Sequence, residues 1–137
     1  MKIFVPKETA EGETRVAASP DTVKKLAGKG AEVVVESGAG AGSRITDAAF
    51  EEAGATIGTA ADAGSADVVL KVRRPTAEEA ASYGAGTVVI AIMDPYGQDE
   101  ALTAMADAGI TAFAMELMPR ITRAQVMDVL SSQANLA

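Results

Sequence analysis

Short polar side chains recur every three or four residues near the C-terminus of this 137-residue chain. They are Gln125, Asp128, Ser131, Ser132 and Asn135. At about 100° per residue, one α-helix would place all five within a stripe about 120° wide. The other predicted helices carry Lys and Glu, whereas this stripe carries mostly neutral hydrogen-bonding groups. The pattern therefore favours a polar surface that faces a ligand or is buried against a neighbour.

Two simpler interpretations of these residues remain open. Thr122 and Gln125 have the spacing of a capping box, so Gln125 could serve only to begin the helix. Ser131 and Ser132 could lie in a helix–helix contact whose partner is missing. The sequence alone does not choose between these roles and ligand binding.

The same segment predicts a long last helix. It begins at Thr122 and is still running at Ala137, because no Gly, Pro or basic last turn closes it. Arg120 lies just before this helix and could reach back to Asp128. The abrupt end favours the hypothesis that the chain is the first piece of a longer protein over a frayed natural terminus.

Two cations follow predicted strands. Arg15 lies after the first strand, and Lys71 lies at the end of a later one. Because the carboxyl ends of parallel strands meet at one edge, both could hold a ligand carboxylate, Arg15 in bidentate fashion and Lys71 as a point charge. In the simpler interpretation they are solvated loop cations, and Glu8 could pair with either and reduce its availability.

A glycine-rich stretch follows the second predicted strand, but it does not match a dinucleotide fingerprint. G-x-G-x-x-G must lead directly into a helix so that backbone N–H groups face the pyrophosphate. Counted from Gly38 the sixth position is Ser43, and counted from Gly40 it is Ile45. We therefore interpret the stretch as a strand-to-helix loop, and the sequence also contains no P-loop.

The composition excludes several kinds of chemistry. The chain has no Cys and no His, which excludes a disulfide framework, a thiolate nucleophile, an ordinary zinc site and imidazole acid–base catalysis. A net charge of −7 argues against binding to nucleic acid. No apolar stretch approaches the ~20 residues that span a bilayer, and no signal peptide is recognisable. We predict a cytoplasmic protein with no direct membrane insertion.

Strand-like and helical segments alternate along the chain. Five runs predict strands, with a weaker sixth: Ile3–Val5, Ala31–Val35, Val68–Val72, Thr87–Met93, Ile110–Met115 and Ala55–Gly58. The alternation predicts a single α/β domain over residues 1–137, three-layered (α/β/α), with a mainly parallel, flavodoxin- or Rossmann-like sheet. The run 88–93 is apolar without alternation, which predicts a strand buried on both faces.

The helices between the strands have recognisable starts. Ser19 followed by proline predicts a helix through Lys29. Thr46 predicts a second helix over Asp47–Ala53, and Thr76 with Glu79 has the spacing of a capping box.

Taken together, these segments resemble the N-terminal domain shared by alanine dehydrogenases and the NAD(H)-binding component of proton-translocating nicotinamide nucleotide transhydrogenase. The resemblance covers essentially the whole chain, and the stretch from Pro119 to Gln125 is similar to the transhydrogenase branch. The matching segments are Pro6–Glu8, Glu13–Pro20, Val35–Gly40, Leu70–Val72 and Met118–Ala137.

The resemblance implies roles for four of the polar residues. Arg120, Gln125 and Asp128 would belong to a mobile loop and helix start that closes over the nicotinamide end of NAD(H), and they are the predicted catalytic and cofactor-binding residues. Ser131 would join them near the carboxamide. Hydride would pass directly to NADP+ on a separate subunit, so the protein would supply position and electrostatics.

The resemblance also implies what the chain lacks. Family members continue into a Rossmann domain that binds most of the dinucleotide, so this chain would form half of the NAD(H) site and be inactive alone. Its partners would be that Rossmann half and the NADP(H)-binding and membrane subunits that couple hydride transfer to proton translocation. The intact subunit would be a dimer, peripheral to the membrane through its partners.

Two alternative functions remain open. Alanine dehydrogenases resemble this chain at Arg15 and Lys71, which would there hold the substrate carboxylate, but they need a catalytic His that this sequence lacks. The other alternative is a non-catalytic α/β module whose polar stripe binds a protein partner.

Overall fold

Six parallel strands form one sheet in the computed structural model, which describes residues 1–134. Their order across the sheet is β3-β2-β1-β4-β5-β6, and every pairing is parallel. The strands are β1 (Lys2–Val5), β2 (Glu32–Glu36), β3 (Thr56–Gly58), β4 (Val68–Arg73), β5 (Val88–Ile92) and β6 (Thr111–Ala114). All six predicted strands are confirmed, and the sheet is fully parallel.

Helices connect the strands. The α-helices are α1 (Pro20–Gly28), α2 (Asp47–Glu52), α3 (Ala77–Ser82), α4 (Asp99–Asp107) and α5 (Val129–Ala134). Short 3-10 helices span Ala41–Ser43, Ala60–Ser65, Met115–Leu117 and Gln125–Met127. The caps predicted for α1, α2 and α3 are confirmed: Ser19 accepts from the Thr22 amide at 3.2 Å, Thr46 accepts from the Ala49 amide at 3.3 Å, and Thr76 and Glu79 form both halves of a capping box. The capping box predicted for Thr122 and Gln125 does not form, because the 3-10 helix there begins after Ala124 without a side-chain cap.

Two apolar clusters cover opposite faces of the sheet. Phe4, Val34 and Val69 lie in register on one face and pack with residues of α3 and α4. Val5, the next residue along β1, packs on the other face with residues of α1 and α2, including Phe50. Successive side chains of a strand point to opposite faces. The predicted three-layer α/β fold is therefore confirmed.

The order of the strands leaves part of one face without a helix. The chain runs outward from β1 through β2 to β3, then returns and runs the other way through β4 to β6. Right-handed crossovers place the helices of the two halves on opposite faces. Over β4 and β5, the face shared with α1 and α2 is accordingly only partly covered.

The burial pattern of β5 shows this incomplete cover. Val89 and Ala91 are buried, whereas Val88, Ile90 and Ile92 are half-buried. The prediction of a strand fully buried on both faces is therefore right for one face only. The half-buried residues Ile90 and Ile92 face a cavity.

The prediction of one long helix from Thr122 is wrong. A 3-10 helix over Gln125–Met127 ends at Asp128, whose backbone is extended (φ −68°, ψ 107°), and α5 begins only at Val129. Asp128 accepts hydrogen bonds from the amides of Leu130 and Ser131 at 2.9 and 3.4 Å. A side chain that bonds to the backbone ahead of it favours a helix start over a helix interior. The predicted continuation to Ala137, and Asn135 with it, lies outside the described residues.

Candidate functional site

A cavity of about 500 Å³ lies over the uncovered face of β4 and β5. Leu70, Ile90 and Ile92 form its apolar floor, and Arg15 and Lys71 contribute cations. The remaining lining residues are Val16, Ala17, Ser19, Ser43, Ile45, Val72, Met115 and Val129. The cavity opens where the strand order reverses between β1 and β4, which is where open α/β sheets bind ligands.

Lys71 is buried between two carboxylates. Its Nζ lies 3.5 Å from Oε2 of Glu8 and 3.2 Å from Oε1 of Glu79, and the side chains of Lys71 and Glu8 are 1% and 2% exposed. Glu8 also accepts hydrogen bonds from the amides of Val72 and Arg73 at 2.6 and 3.4 Å. The prediction that Glu8 pairs with a cation is confirmed for Lys71, so the positive charge of Lys71 is compensated within the fold.

Tyr83 lies beside this charged group. Its hydroxyl is buried and has no hydrogen-bond partner among the residues that the structure describes. Burial raises the pKa of the Tyr83 hydroxyl, and the nearby carboxylates of Glu79 and Glu8 raise that pKa further. Tyr83 is therefore a neutral neighbour of the Lys71 cluster.

Arg15 is held by Glu13. Arg15 Nε donates to Oε1 of Glu13 at 2.7 Å, and Nη2 donates to Oε2 at 2.7 Å, which is the bidentate arrangement. Arg73 donates to the same carboxylate at 2.8 Å. Glu13 thus fixes the guanidinium of Arg15 at the cavity wall.

Replacing Glu13 by glutamine should make the free energy of unfolding less dependent on pH in the acid range. Hydrogen bonds from Arg15, with a further one from Arg73, lower the pKa of Glu13 from 4.5 to about 2. A depressed pKa contributes stability that is present above the unfolded-state pKa and is lost as pH falls through the folded one. We expect Glu13→Gln to cost roughly 2 kcal/mol at pH 7, with the difference from wild type shrinking between about pH 5 and pH 2.

Urea unfolding across this pH range measures the effect, with Glu11→Gln, a change in an exposed loop acid, as the matched control. A difference between wild type and Glu13→Gln that stays constant down to pH 2 would contradict the assigned ion pairs.

The glycine-rich loop holds the wall of the cavity in place. Gly42 packs so closely that an added Cβ would lie 2.7 Å from the carbonyl oxygen of Thr14, and Ser43 Oγ donates to that oxygen at 2.8 Å. At the other end of the loop, Asp47 accepts from the amide of Gly38 and the hydroxyl of Ser37, and the Gly38 bond is the larger cause of the lowered pKa of Asp47. The Gly38 amide is thus bound within the fold, consistent with the loop interpretation.

Replacing Gly42 by alanine should displace the segment that carries Arg15. The new methyl group meets the backbone of Thr14, which cannot move without shifting the loop, so we expect a loss of about 1–3 kcal/mol. Gly28→Ala is the control, because a Cβ there meets nothing within 4 Å and the helical site favours alanine. Urea unfolding of both variants tests this, and equal stabilities would contradict the close approach.

The second set of predicted site residues lies between Arg120 and Ser131, before and within the start of α5. Asp128 and Ser131 are brought together, with Ser131 Oγ donating to Asp128 Oδ2 at 2.8 Å. This bond is the largest cause of the lowered pKa of Asp128, and the charge of Arg120 adds a smaller lowering. The Gln125 carbonyl accepts from the Asp128 amide at 3.2 Å, while the Gln125 side chain is exposed.

The first set of predicted site residues therefore lines the cavity, and the second set lies beside it. Arg15 and Lys71 line it. Of the segment that carries Arg120, Gln125, Asp128 and Ser131, only Val129 is among its lining residues, directly after Asp128. The predicted polar stripe does not form on one helix, because the break at Asp128 separates Gln125 from Ser131.

Sequence reasoning predicts Glu8 as a partner of the cations but misses the other two acidic partners, Glu13 and Glu79. Glu13 was visible only as a member of a matching segment, and Glu79 only as half of a capping box. One carboxylate of Glu79 serves both the cap and Lys71. Within residues 1–134, no three acidic side chains are grouped as a metal site would need, and no helix is long and apolar enough to cross a membrane.

Comparison with known proteins decides the family. The sequence model described as "Alanine dehydrogenase/PNT, N-terminal domain" matches residues 4–137. The chain belongs to this alanine dehydrogenase/PNT N-terminal domain family. The predicted resemblance is thereby confirmed.

Relatives of this family member include both branches. An NAD(P) transhydrogenase alpha-subunit chain of Rhodospirillum rubrum is 56% identical over 100% of this chain and 38% of its own length. The crystal structure of transhydrogenase from Sinorhizobium meliloti matches with a TM-score of 0.97 and 65% identity, over 99% of this chain and 41% of that one. An L-alanine dehydrogenase structure matches at a TM-score of 0.81 and 32% identity, over 85% of this chain and 32% of its own. The chain thus spans about two fifths of the length of these two transhydrogenase relatives.

Proposed function

We propose that this chain forms one wall of the nicotinamide end of an NAD(H) site in the NAD(H)-binding subunit of a proton-translocating NAD(P) transhydrogenase. The observation that carries the proposal is the cavity over β4 and β5, at the switch point of the sheet and beside the segment with Asp128 and Ser131. The family membership of the chain and its transhydrogenase relatives support the same assignment.

The lining suits a flat ring with one polar substituent. Leu70, Ile90 and Ile92 offer an apolar surface, and Arg15 contributes a polar group, while Lys71 lines the cavity with its ammonium held between Glu8 and Glu79. Because Glu13 and Glu8 compensate the charges of Arg15 and Lys71, the site suits a neutral carboxamide better than an anion. The described residues thus fit the nicotinamide end, and they offer no glycine-rich phosphate cradle for the remainder of the dinucleotide.

The residues of this chain would bind and orient the nicotinamide end of NAD(H). When bound, NAD(H) would supply the hydride chemistry. Gln125 and Ser131 would donate and accept hydrogen bonds near the carboxamide, with Ser131 held by Asp128. Arg120 would approach with Asp128 when the segment closes, and closure would exclude water from the ring.

The proposal includes the remainder of the protein. A Rossmann domain after residue 137 would bind most of NAD(H), and the partners would be NADP(H)-binding and membrane subunits. The complete subunit would be a dimer, cytoplasmic and attached to the inner membrane through these partners. Residues 1–137 alone would have no hydride-transfer activity.

Hydride transfer in the reassembled system tests the proposal. Residues 1–137 are joined to the Rossmann half and combined with the NADP(H)-binding component. We expect Gln125→Asn to lower turnover about tenfold or more, because a small misplacement of the ring costs rate steeply. Gln98→Asn, the same change directly before α4 and away from the segment with Asp128 and Ser131, should leave turnover unchanged. Unchanged turnover in Gln125→Asn would argue against the site.

A second candidate function is a non-catalytic protein-docking module. It is favoured by exposed apolar side chains on the last stretch of the chain: Phe113, Leu117, Ile121, Val126 and Leu130, which are 55–88% exposed. Large exposed apolar groups are typical of interaction surfaces. Calorimetry that finds no NADH binding by any reassembled form, together with tight binding of another protein, would favour this candidate.

A further inference from the structure

The end of β5 is held from two sides by side chains of opposite charge. Arg74, which follows β4, donates from Nη1 to the carbonyl oxygens of Met93 and Asp94 at 2.5 and 2.8 Å. Glu116, which follows β6, accepts from the amide of Met93 at 3.1 Å and from the amide of Asp94. Arg74 and Glu116 thus bind both amides and both carbonyls of this dipeptide. We call this arrangement the β5 clamp.

The clamp holds a backbone conformation that is costly by itself. Asp94 has φ +44°, a left-handed value that residues other than glycine adopt infrequently. Such a conformation persists where the surroundings over-determine it. Pro95 and the exposed Tyr96 follow directly, so the clamp also fixes where this loop leaves the sheet.

The same clamp reaches the segment between β6 and α5. Glu116 lies in the 3-10 helix Met115–Leu117, which contacts both β5 and α5. Its neighbour Met115 lines the cavity, as does Val129 at the start of α5. Fixing Glu116 therefore fixes the base from which the chain runs to Gln125 and Asp128.

We infer that Arg74 and Glu116 are positioning residues that set where the segment 118–128 stands beside the cavity, between Met115 and Val129, which both line it. This inference rests on the proposed function, because it matters for hydride transfer only if that segment closes over the nicotinamide end. Neither residue lines the cavity, so both act through the backbone of residues 93 and 94 and through the 3-10 helix.

The chemistry of the clamp specifies informative variants. A carboxylate offers an acceptor oxygen to each of two N–H groups, whereas an amide offers one acceptor oxygen and presents an NH2 group to the second N–H. Glu116→Gln therefore breaks half of the clamp at nearly constant volume. Arg74→Met removes the donors and keeps an unbranched side chain, while Arg74→Lys keeps the charge and a donor. Glu51→Gln, on the exposed side of α2, is the control.

Spin labels can measure the position of the segment directly. The chain contains no cysteine, so two substitutions introduce the only two labelling sites: Lys24→Cys, at an exposed position on α1 away from the clamp, and Val126→Cys, at a side chain that is 88% exposed. In the 137-residue chain we expect Glu116→Gln and Arg74→Met to broaden the distance distribution between the labels. With Arg74→Lys the distribution should be nearly as narrow as in wild type, and Glu51→Gln should leave its width unchanged. An unchanged distribution in both clamp variants would overturn the inference.

Kinetics of the complete subunit combined with the NADP(H)-binding component then separate positioning from mere stability. We expect Glu116→Gln to lower kcat about tenfold while the KM for NADH stays within about threefold, because the ring is misplaced and the rest of the dinucleotide still binds. An unchanged kcat, where Gln125→Asn does lower it, would overturn the positioning role and leave the proposed function standing. If neither variant lowers kcat, the proposed function fails, and the label distances still decide whether the clamp sets the position of the segment.

Discussion

Replacing Glu8 by alanine is expected to destabilise the protein by about 3–5 kcal/mol at pH 7. The substitution removes one of the two carboxylates beside the Lys71 ammonium, whose side chain is 1% exposed. It also removes the acceptor for the amides of Val72 and Arg73. The buried Lys71 ammonium then keeps only the more exposed carboxylate of Glu79, and two backbone amides lose their acceptor, so the loss exceeds that of a surface ion pair.

Glu11→Ala provides the matched control, because it deletes the same side chain from an exposed loop position three residues away. We expect its free energy of unfolding to lie within about 0.5 kcal/mol of wild type. Urea denaturation of both variants makes the comparison. A loss below about 1 kcal/mol for Glu8→Ala would contradict the buried ion-pair network.

Replacing Phe50 by alanine is expected to cost about 3–5 kcal/mol. The ring of Phe50 is fully buried between α2 and the sheet, and it packs so closely on Gly40 that a Cβ there would lie 2.8 Å from Cε2. Ile45, on the same loop, lines the cavity and packs against this cluster. The variant should therefore loosen one wall of the candidate site as well as the core.

Phe113→Ala makes the same chemical change at a side chain on β6 that is 57% exposed. Its removal leaves no enclosed cavity, so we expect a cost of at most about 1 kcal/mol. Thermal and urea unfolding of the pair separate the two sites. Similar losses in both variants would contradict the assignment of Phe50 to the core.

The fold could be predicted from the sequence because each element has a local cause. Val88–Ile92 is apolar and mostly β-branched, Ser19 is followed by proline at the first helical position, and Thr76 has Glu79 at the spacing of a capping box. Each preference agrees with the structure that forms there. The incomplete burial of β5 could not be predicted, since it depends on which strands the crossovers leave uncovered.

The candidate site was only partly predictable, for two different reasons. The sequence predicts that Glu8 pairs with one of the two cations, but the contact between Arg73 and Glu13 joins residues far apart in the sequence, and spacing alone does not give a distance of 2.8 Å. The break at Asp128 could have been predicted, because an aspartate three residues before Ser131 is a favourable helix start. The sequence instead favoured one continuous helix, because the polar residues from Gln125 to Ser132 also fit a helical period of 3.6 residues.

The most direct test of the central claim is the response of side-chain methyl groups in the complete subunit to NADH and to ADP-ribose, which lacks the nicotinamide. Ile90 and Ile92 line the cavity, whereas Ile57 lies on β3 at an edge of the sheet. If this chain forms a wall of the nicotinamide site, the NMR signals of Ile90 and Ile92 shift with NADH and not with ADP-ribose, and Ile57 responds to neither. Shifts of Ile90 and Ile92 that are the same with both ligands, or absent with NADH at saturation, would contradict the account.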